Sequence, residues 1–302
     1  MDTTIRFRER IGDFEEADLF DSSFPICFNF FSQFDNNHNI IFFKMDWLHI
    51  LFDHIKNLSG DFIVIAGNSD YCFGSSYHPL RNELPDRLPK NVRALLCQNN
   101  LIPLDHENFD RIYSLPIGIE NFRRCGRIGH GTILNTGIKK AYFLRALKEV
   151  STQVMPDKLI YSNFSIRSGC QSESHRLLTM KICKTLPYIT WQDSILSCEM
   201  FYSQILRHEA VVCAQGNGPG DNHRIYETLY LNRIPITFNR PLYDRLHVNF
   251  PIICLDSPED LHHRLYIEGE ISRIRGFTFD KSLISESYWS DYISRTLGNM
   301  RF

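Results

Sequence analysis

Arg224 and Glu227 stand three residues apart just after the glycine-rich run Gly216-Asn217-Gly218-Pro219-Gly220, and this block has the residue types best suited to chemistry in the chain. A glycine loop feeding a helix N-terminus presents unpaired backbone N–H groups and the positive end of a helix dipole, which suits a phosphate. Asp221 and Asn222 are good N-caps for a helix beginning near His223. Arg224 then falls in the first turn, where its forked guanidinium adds a cation for a diphosphate. Glu227 shares that helix face, and a carboxylate there accepts hydrogen bonds from ribose hydroxyls. Together they describe a nucleotide-diphosphate site. The same residues equally fit a structural strand-to-helix turn carrying a solvated ion pair. No Gly-Lys-Ser/Thr follows the loop, so it is not a Walker loop, and the dinucleotide fingerprint spacing is absent.

The elements around this block predict an α/β chain. Val211 to Ala214 reads as a buried strand, His223 to Leu231 as a helix, and Ile234-Pro235-Ile236 as the next strand. Asn232 suits the left-handed position that stops the helix. Upstream, strands are expected at Ile40–Phe43, Asp61–Ala66, Val92–Cys97 and Arg111–Leu115, with helices at Asp46–Asn57 and Lys139–Glu149. Ser151 to Asp157, with Pro156 and polar residues, is the expected interdomain linker. A second series follows: strands Leu159–Phe164, Tyr188–Trp191 and Ile252–Leu255, and helices Ser172–Thr185, Met200–His208, Pro258–Tyr266 and Tyr288–Leu297, the last anchored by Trp289. The expected organisation is therefore an N-terminal domain over 1–150, its first 35 residues irregular, and a C-terminal domain over 158–302.

The order Gly-Asn-Gly, x, x, Asp, x, His-Arg, x, x, Glu, x, Leu, then Ile-Pro-Ile resembles the donor-site motif of exostosin-like glycosyltransferases, in particular their compact bacterial and viral type. The segments "FIVIAGNSD" (62–70), "LLCQNN" (95–100), "LPIGIEN" (115–121) and "LIYSNFSI" (159–166) are similar to others of that family, so the resemblance covers roughly residues 40 to 295. It implies the GT-B fold, two Rossmann-like parallel-sheet domains facing across a cleft, with the nucleotide sugar on the C-terminal domain and the acceptor on the N-terminal one. It further implies that Arg224 and Glu227 face the diphosphate and ribose, and that transfer to a glycan hydroxyl inverts the anomeric carbon. A hexosyl- or pentosyltransferase acting on a glycan or glycoconjugate is the expected class.

Inverting transfer needs a base to take the acceptor proton. Asp70 closes an apolar strand, where a carboxylate faces the crevice of an open α/β sheet, and is the first candidate, with a turn-forming Asx cap as its alternative. Glu120, after a strand and a Pro-x-Gly turn, is the second candidate, and as a lone loop glutamate it equally fits solvent exposure. His223 is the third and also a candidate for touching the phosphates or sugar, though a helix-capping histidine reads the same. Asn163 and Ser165 end a strand where loop groups meet a leaving diphosphate, and Arg176 lies on the next helix within reach of it. Gly216, Asn217, Gly218, Gly220 and Asp221 complete the donor set, while Gln98 and Asn99 join Asp70 and Glu120 on the acceptor side.

A net charge of −2 gives no reason to expect nucleic acid or an anionic membrane. Nine cysteines without a C-x-x-C pair read as buried free thiols in a reducing compartment, so a cytoplasmic, soluble protein is expected, with no apolar run long enough to span a membrane. This departs from the membrane-anchored animal and plant exostosins. No D-x-D triplet or zinc-spaced Cys/His cluster occurs, so no metal or other cofactor is expected, and Arg224, the loop N–H groups and the helix dipole take over charge stabilisation. Two rivals stay open: a catalytically inactive glycan- or nucleotide-binding protein of the same fold, and a nucleotide-cofactor oxidoreductase.

Overall fold

The computed structural model describes residues 39–67, 69, 72–74, 83–119, 144–148, 150–166, 173–193, 196–216, 221–238, 250–276 and 279–299. It is an α/β chain with two parallel sheets. The first holds β1 (Ile40–Lys44), β2 (Phe62–Gly67), β3 (Val92–Gln98) and β4 (Ile112–Leu115) in that spatial order. The second holds β5 (Lys158–Ser162), β6 (Ile189–Trp191), β7 (His208–Val212), β8 (Ile234–Thr237) and β9 (Ile253–Cys254), ordered β6-β5-β7-β8-β9. All paired strands in both sheets are parallel. The described helices are α1 (Leu48–Ile55), α2 (Glu173–Thr185), α3 (Cys198–Arg207), α4 (His223–Tyr230), α5 (Arg264–Arg275) and α6 (Glu286–Asn299), besides a helical turn at 144–148.

Strand periodicity divides the apolar residues among three cores. In β2, Val64 and Ala66 pack with Leu51, Phe52 and Ile55 of α1 on one face. Ile63 and Ile65 turn the other way, with Ala94, Leu96 and Leu115. In β5 and β7, Ile160, Ala210 and Val212 meet α2 and α5 through Ile182, Ile267 and Ile271. Tyr161 and Val211, one residue out of step, join the same central core as Ile63 and Ile65, together with Tyr202 of α3, Ile225 and Leu229 of α4 and Trp289 of α6. The inner faces of the two sheets thus share one continuous apolar core, in which each fully buried Ile, Leu or Val contributes about 1.5–3 kcal/mol.

The expected elements are present with shifted ends. The helix expected at Asp46–Asn57 is a 3-10 turn, Met45–Trp47, followed by α1. The helix expected at Pro258–Tyr266 is likewise two pieces: Pro258–His262 is 3-10, capped by a Ser257–Asp260 box, and α5 begins at Arg264. The helix expected over Lys139–Glu149 is described only at 144–148. Asn232 takes the left-handed conformation (φ 55°) that ends α4. Segment 151–157 is tied down along its length: Arg233 donates to the carbonyls of Ser151 and Val154, and Asp157 pairs with Arg207. Among the described residues no helix is long and apolar enough to cross a membrane. Cys72, Cys97, Cys183 and Cys213 are buried free thiols, and Cys254 is partly buried.

β7 starts at His208, earlier than the strand expected at Val211, because His208 already has extended backbone (φ −113°, ψ 149°). Its ring is fully buried, 5.1 Å from the Tyr161 ring, and Nδ1–H donates to the Gln204 carbonyl at 2.6 Å while Nε2 has no hydrogen-bond partner among the described residues. Burial pulls its pKa down from 6.5 to about 4. Between those values the unfolded chain binds a proton that the folded chain does not. Stability is therefore full above pH 6.5 and falls toward pH 4 by on the order of 2–3 kcal/mol from this group alone. In urea titrations, His208→Gln is expected to lose less stability than wild type between pH 7 and pH 4.5; a wild-type-to-variant difference independent of pH refutes the assignment.

Candidate functional site

In the second sheet, β5 has β6 on one side and β7 on the other, so the chain leaves the carboxyl ends of β5 and β7 in opposite directions. Such a reversal opens a crevice, and in open α/β sheets ligands bind there. A pocket of about 170 Å³ occupies this place. Phe164 and Ser165 from the loop after β5, Ala214 and Gly216 from the loop after β7, and Arg176 of α2 line it. The fourth wall is the N-terminus of α4, with Asn222, His223, Arg224 and Glu227.

Both arginines are held by backbone carbonyls and aromatic rings. Arg224 Nη1 donates to the carbonyl of Asn163, and its guanidinium lies 4.8 Å from the centre of the Phe201 ring. Arg176 donates through Nε to the carbonyl of Ser165 (2.7 Å) and through Nη1 to that of Gln215 (2.6 Å), and stacks 5.2 Å from the Phe164 ring. It thereby braces the loops after β5 and β7 against each other. Burial, followed by repulsion from Arg224, pulls Arg176 down to about 10, which leaves it charged at neutral pH. Burial pushes Tyr161, behind Arg224, up to about 12 against the opposing pull of the Arg224 charge. Two cations that repel each other across one small pocket, beside a helix N-terminus, form a place where an anion relieves strain in charge.

Glu227 is only 3% exposed and Arg224 is half-buried, so neither belongs to a solvated surface face. Asn222 is the N-cap of α4, but its side chain does not cap: Nδ2 donates to the Cys213 carbonyl at 3.4 Å. His223 reaches the first sheet. Its Nδ1–H donates to the carbonyl of Gly118 (2.8 Å), where a left-handed φ of 66° favours glycine. That bond fixes the tautomer and leaves Nε2 as the lone-pair nitrogen of the neutral ring.

The structure brings together Ser165, Arg176, Gly216, His223, Arg224 and Glu227 of the expected set. Asn163 acts through its carbonyl on Arg224, while its amide donates to the Gln192 carbonyl at 2.8 Å. Asp221 does not line the pocket; its buried carboxylate accepts from Ile117 N, Asn222 N and the Tyr226 hydroxyl. Gln98 and Asn99 are buried as well, and bond to Pro116 and Ser69 carbonyls respectively. Asp70, Glu120, Asn217, Gly218 and Gly220 lie outside the described residues. Phe164 and Phe201, which seat the arginines, carry no polar atom and no motif spacing that marks them beforehand. Among the described residues, no group of His, Cys, Asp or Glu is placed to hold a metal ion.

No family model matches the chain, and no curated protein matches it.

Proposed function

We propose that the protein is a glycosyltransferase that moves a sugar from a nucleoside-diphosphate sugar to a hydroxyl of a glycan acceptor. The observation that supports this most is the two-arginine pocket at the chain reversal between β5 and β7, against the α4 N-terminus. Arg176 and Arg224 neutralise the diphosphate as it departs, with the helix end adding its partial positive charge. Glu227, within the same wall, accepts from the ribose hydroxyls. The acceptor enters from the side of the first-sheet loops, where Asp70 and Glu120 are the carboxylate candidates for base. His223 is the described candidate: it lines the pocket and touches the loop after β4. Cations of the chain, rather than a metal ion, carry the leaving-group charge in this reading. The fold class is read as GT-B, and the resemblance over residues 62–70, 95–100, 115–121, 159–166 and 211–238 is its sequence basis.

The test is a calorimetric screen of UDP-, GDP-, dTDP- and CMP-sugars in EDTA, followed by product analysis with mixed glycan acceptors. One nucleoside diphosphate sugar is expected to bind without metal, and the monophosphate-linked CMP-sugar to bind at least tenfold more weakly for want of the second phosphate. Folded protein that binds none of these removes the donor-site assignment. Donor binding with no transfer to any acceptor and no hydrolysis favours the inactive binding protein instead.

A further inference from the structure

We propose that Asp221 and Asn99 are positioning residues that couple occupancy of the pocket to the loops of the first sheet. The inference rests on the pocket being the ligand site proposed above. Asp221 is 6% exposed and directly precedes the N-cap of α4. Its Oδ2 accepts the Ile117 N–H (3.2 Å) from the loop after β4, together with the Tyr226 hydroxyl from within α4. Its Oδ1 accepts the Asn222 N–H at 2.9 Å. The Asp221 N–H in turn donates to Asn99 Oδ1 at 2.8 Å. Asn99 follows β3 in a left-handed conformation (φ 53°), and its Nδ2 donates to the Ser69 carbonyl at 3.1 Å, after β2.

One side-chain pair therefore gathers the carboxyl ends of β2, β3 and β4 onto the end of the helix that carries His223, Arg224 and Glu227. The choice of residues follows. A buried carboxylate needs several donors, and only an acceptor at both oxygens satisfies N–H and O–H groups arriving from separate segments. Asparagine tolerates the left-handed backbone while offering an acceptor to one segment and a donor to another. His223 adds a parallel tie to Gly118. Ser69 precedes Asp70, and Gly118 lies two residues before Glu120, so the tethered loops are those that lead into the acceptor-side carboxylates. A ligand that orders the α4 N-terminus is in this way linked by a contiguous buried network to the opposite side of the reaction.

Hydrogen exchange read by mass spectrometry tests the coupling, with inorganic pyrophosphate as the probe. In ligand-free protein, Asp221→Asn and Asn99→Gly are each expected to speed exchange at least tenfold over 99–101 and 115–119. Tyr226→Phe, which removes a donor internal to the helix, is expected to change exchange only near 221–230. Pyrophosphate is expected to slow exchange in wild type both at 221–227 and at 115–119. In the two coupling variants it slows only 221–227, with affinity within threefold of wild type. Asn99→Gly fits the left-handed backbone, so it carries the test if Asp221→Asn does not fold. Ligand-free changes confined to 221–226 overturn the coupling, as does pyrophosphate binding that leaves 115–119 unprotected in wild type. Absence of any pyrophosphate binding by folded wild type sinks the pocket assignment, and coupling to occupancy with it, whatever the ligand-free exchange shows.

Discussion

Arg224→Ala is expected to weaken binding of a nucleoside diphosphate about 30- to 150-fold, which corresponds to ~2–3 kcal/mol for loss of a charge-assisted contact in a partly dehydrated pocket. The geometry says why this residue outranks its neighbours. Its Nη1 is anchored on the Asn163 carbonyl and its plane is seated on Phe201, so the fork is held in place before any ligand arrives. Little side-chain entropy remains to be lost on binding. Arg224→Lys keeps the charge but loses both the fork and the ring seat, and is expected to recover no more than about a tenth of the lost affinity ratio. The fold suffers less than the site: a cation–π contact worth about 0.5–1 kcal/mol disappears, and the Asn163 carbonyl loses one donor. Calorimetry beside a urea titration separates the two effects. An Arg224→Ala protein that binds as tightly as wild type excludes this guanidinium from the ligand, and the pocket then loses its strongest anion contact. Arg176→Ala makes the useful contrast, because it removes a brace between the loops after β5 and β7 as well as a cation, so affinity and local order fall together.

That Arg224 and Glu227 lie side by side was legible because they are near neighbours on one helix. Residues three apart share one helix face, and periodicity alone suffices to say so. Arg224 and Glu227 share the pocket for that reason. Arg176 was reachable by the same logic, as a cation near the start of the helix after β5. Asp221, Gln98 and Asn99 show where such reading stops. Each is a polar residue at a strand or helix end, and sequence cannot distinguish a group facing a ligand from one facing another loop. The Asp221 carboxylate meets Ile117, more than a hundred residues away, and its function as a tether is set by that long-range contact. Asn99 differs from an exposed loop asparagine only through its neighbours Ser69 and Asp221.

Elements of the fold followed the same rule. Strands with continuous apolar runs, such as Phe62–Gly67 and the Ala94–Cys97 stretch of β3, were placed to within a residue or two because burial on both faces leaves a continuous signature. The second-sheet helix at Pro258 was misjudged in kind: Pro258 and the Ser257–Asp260 box do start a helix, but it winds as 3-10 and yields at His263 before α5 begins. What composition cannot disclose is that alternate residues of both sheets enter one core. Tyr161 and Ile160 are equally buried neighbours, yet one faces the first sheet and the other α2.

Replacing Arg233 by methionine is expected to cost about 3–5 kcal/mol of folding stability, the largest effect of any single change considered. Arg233 is 6% exposed and follows the left-handed Asn232 at the turn from α4 into β8. Its Nε and Nη2 both donate to the Leu206 carbonyl (3.1 and 2.7 Å), at the end of α3. Nη2 also reaches the Val154 carbonyl at 2.8 Å, and Nη1 reaches the Asn232 and Ser151 carbonyls at 2.9 and 3.4 Å. Segment 151–157, which reads as a linker, is therefore fastened at Ser151 and Val154 by this guanidinium, in addition to the Arg207–Asp157 pair at its other end. Burial pulls Arg233 down to about 10, so it stays charged at neutral pH, and its charge adds to burial and Lys148 in pulling Lys281 down to about 8. Methionine matches the stem but leaves the carbonyls of Ser151, Val154 and Leu206 without their donor, each at a cost of about 1–3 kcal/mol where water cannot enter. Relief of the repulsion on Lys281 offsets a fraction of this. Arg233→Lys is expected to fall between, since an ammonium keeps the charge but cannot span acceptors on three segments. Urea unfolding gives the magnitude, and hydrogen exchange over 150–157 gives the place. A methionine variant within about 1 kcal/mol of wild type, with 150–157 still protected, would mean that the apolar core, the Arg207–Asp157 pair and the Asn232–Ser151 bond hold this segment without Arg233.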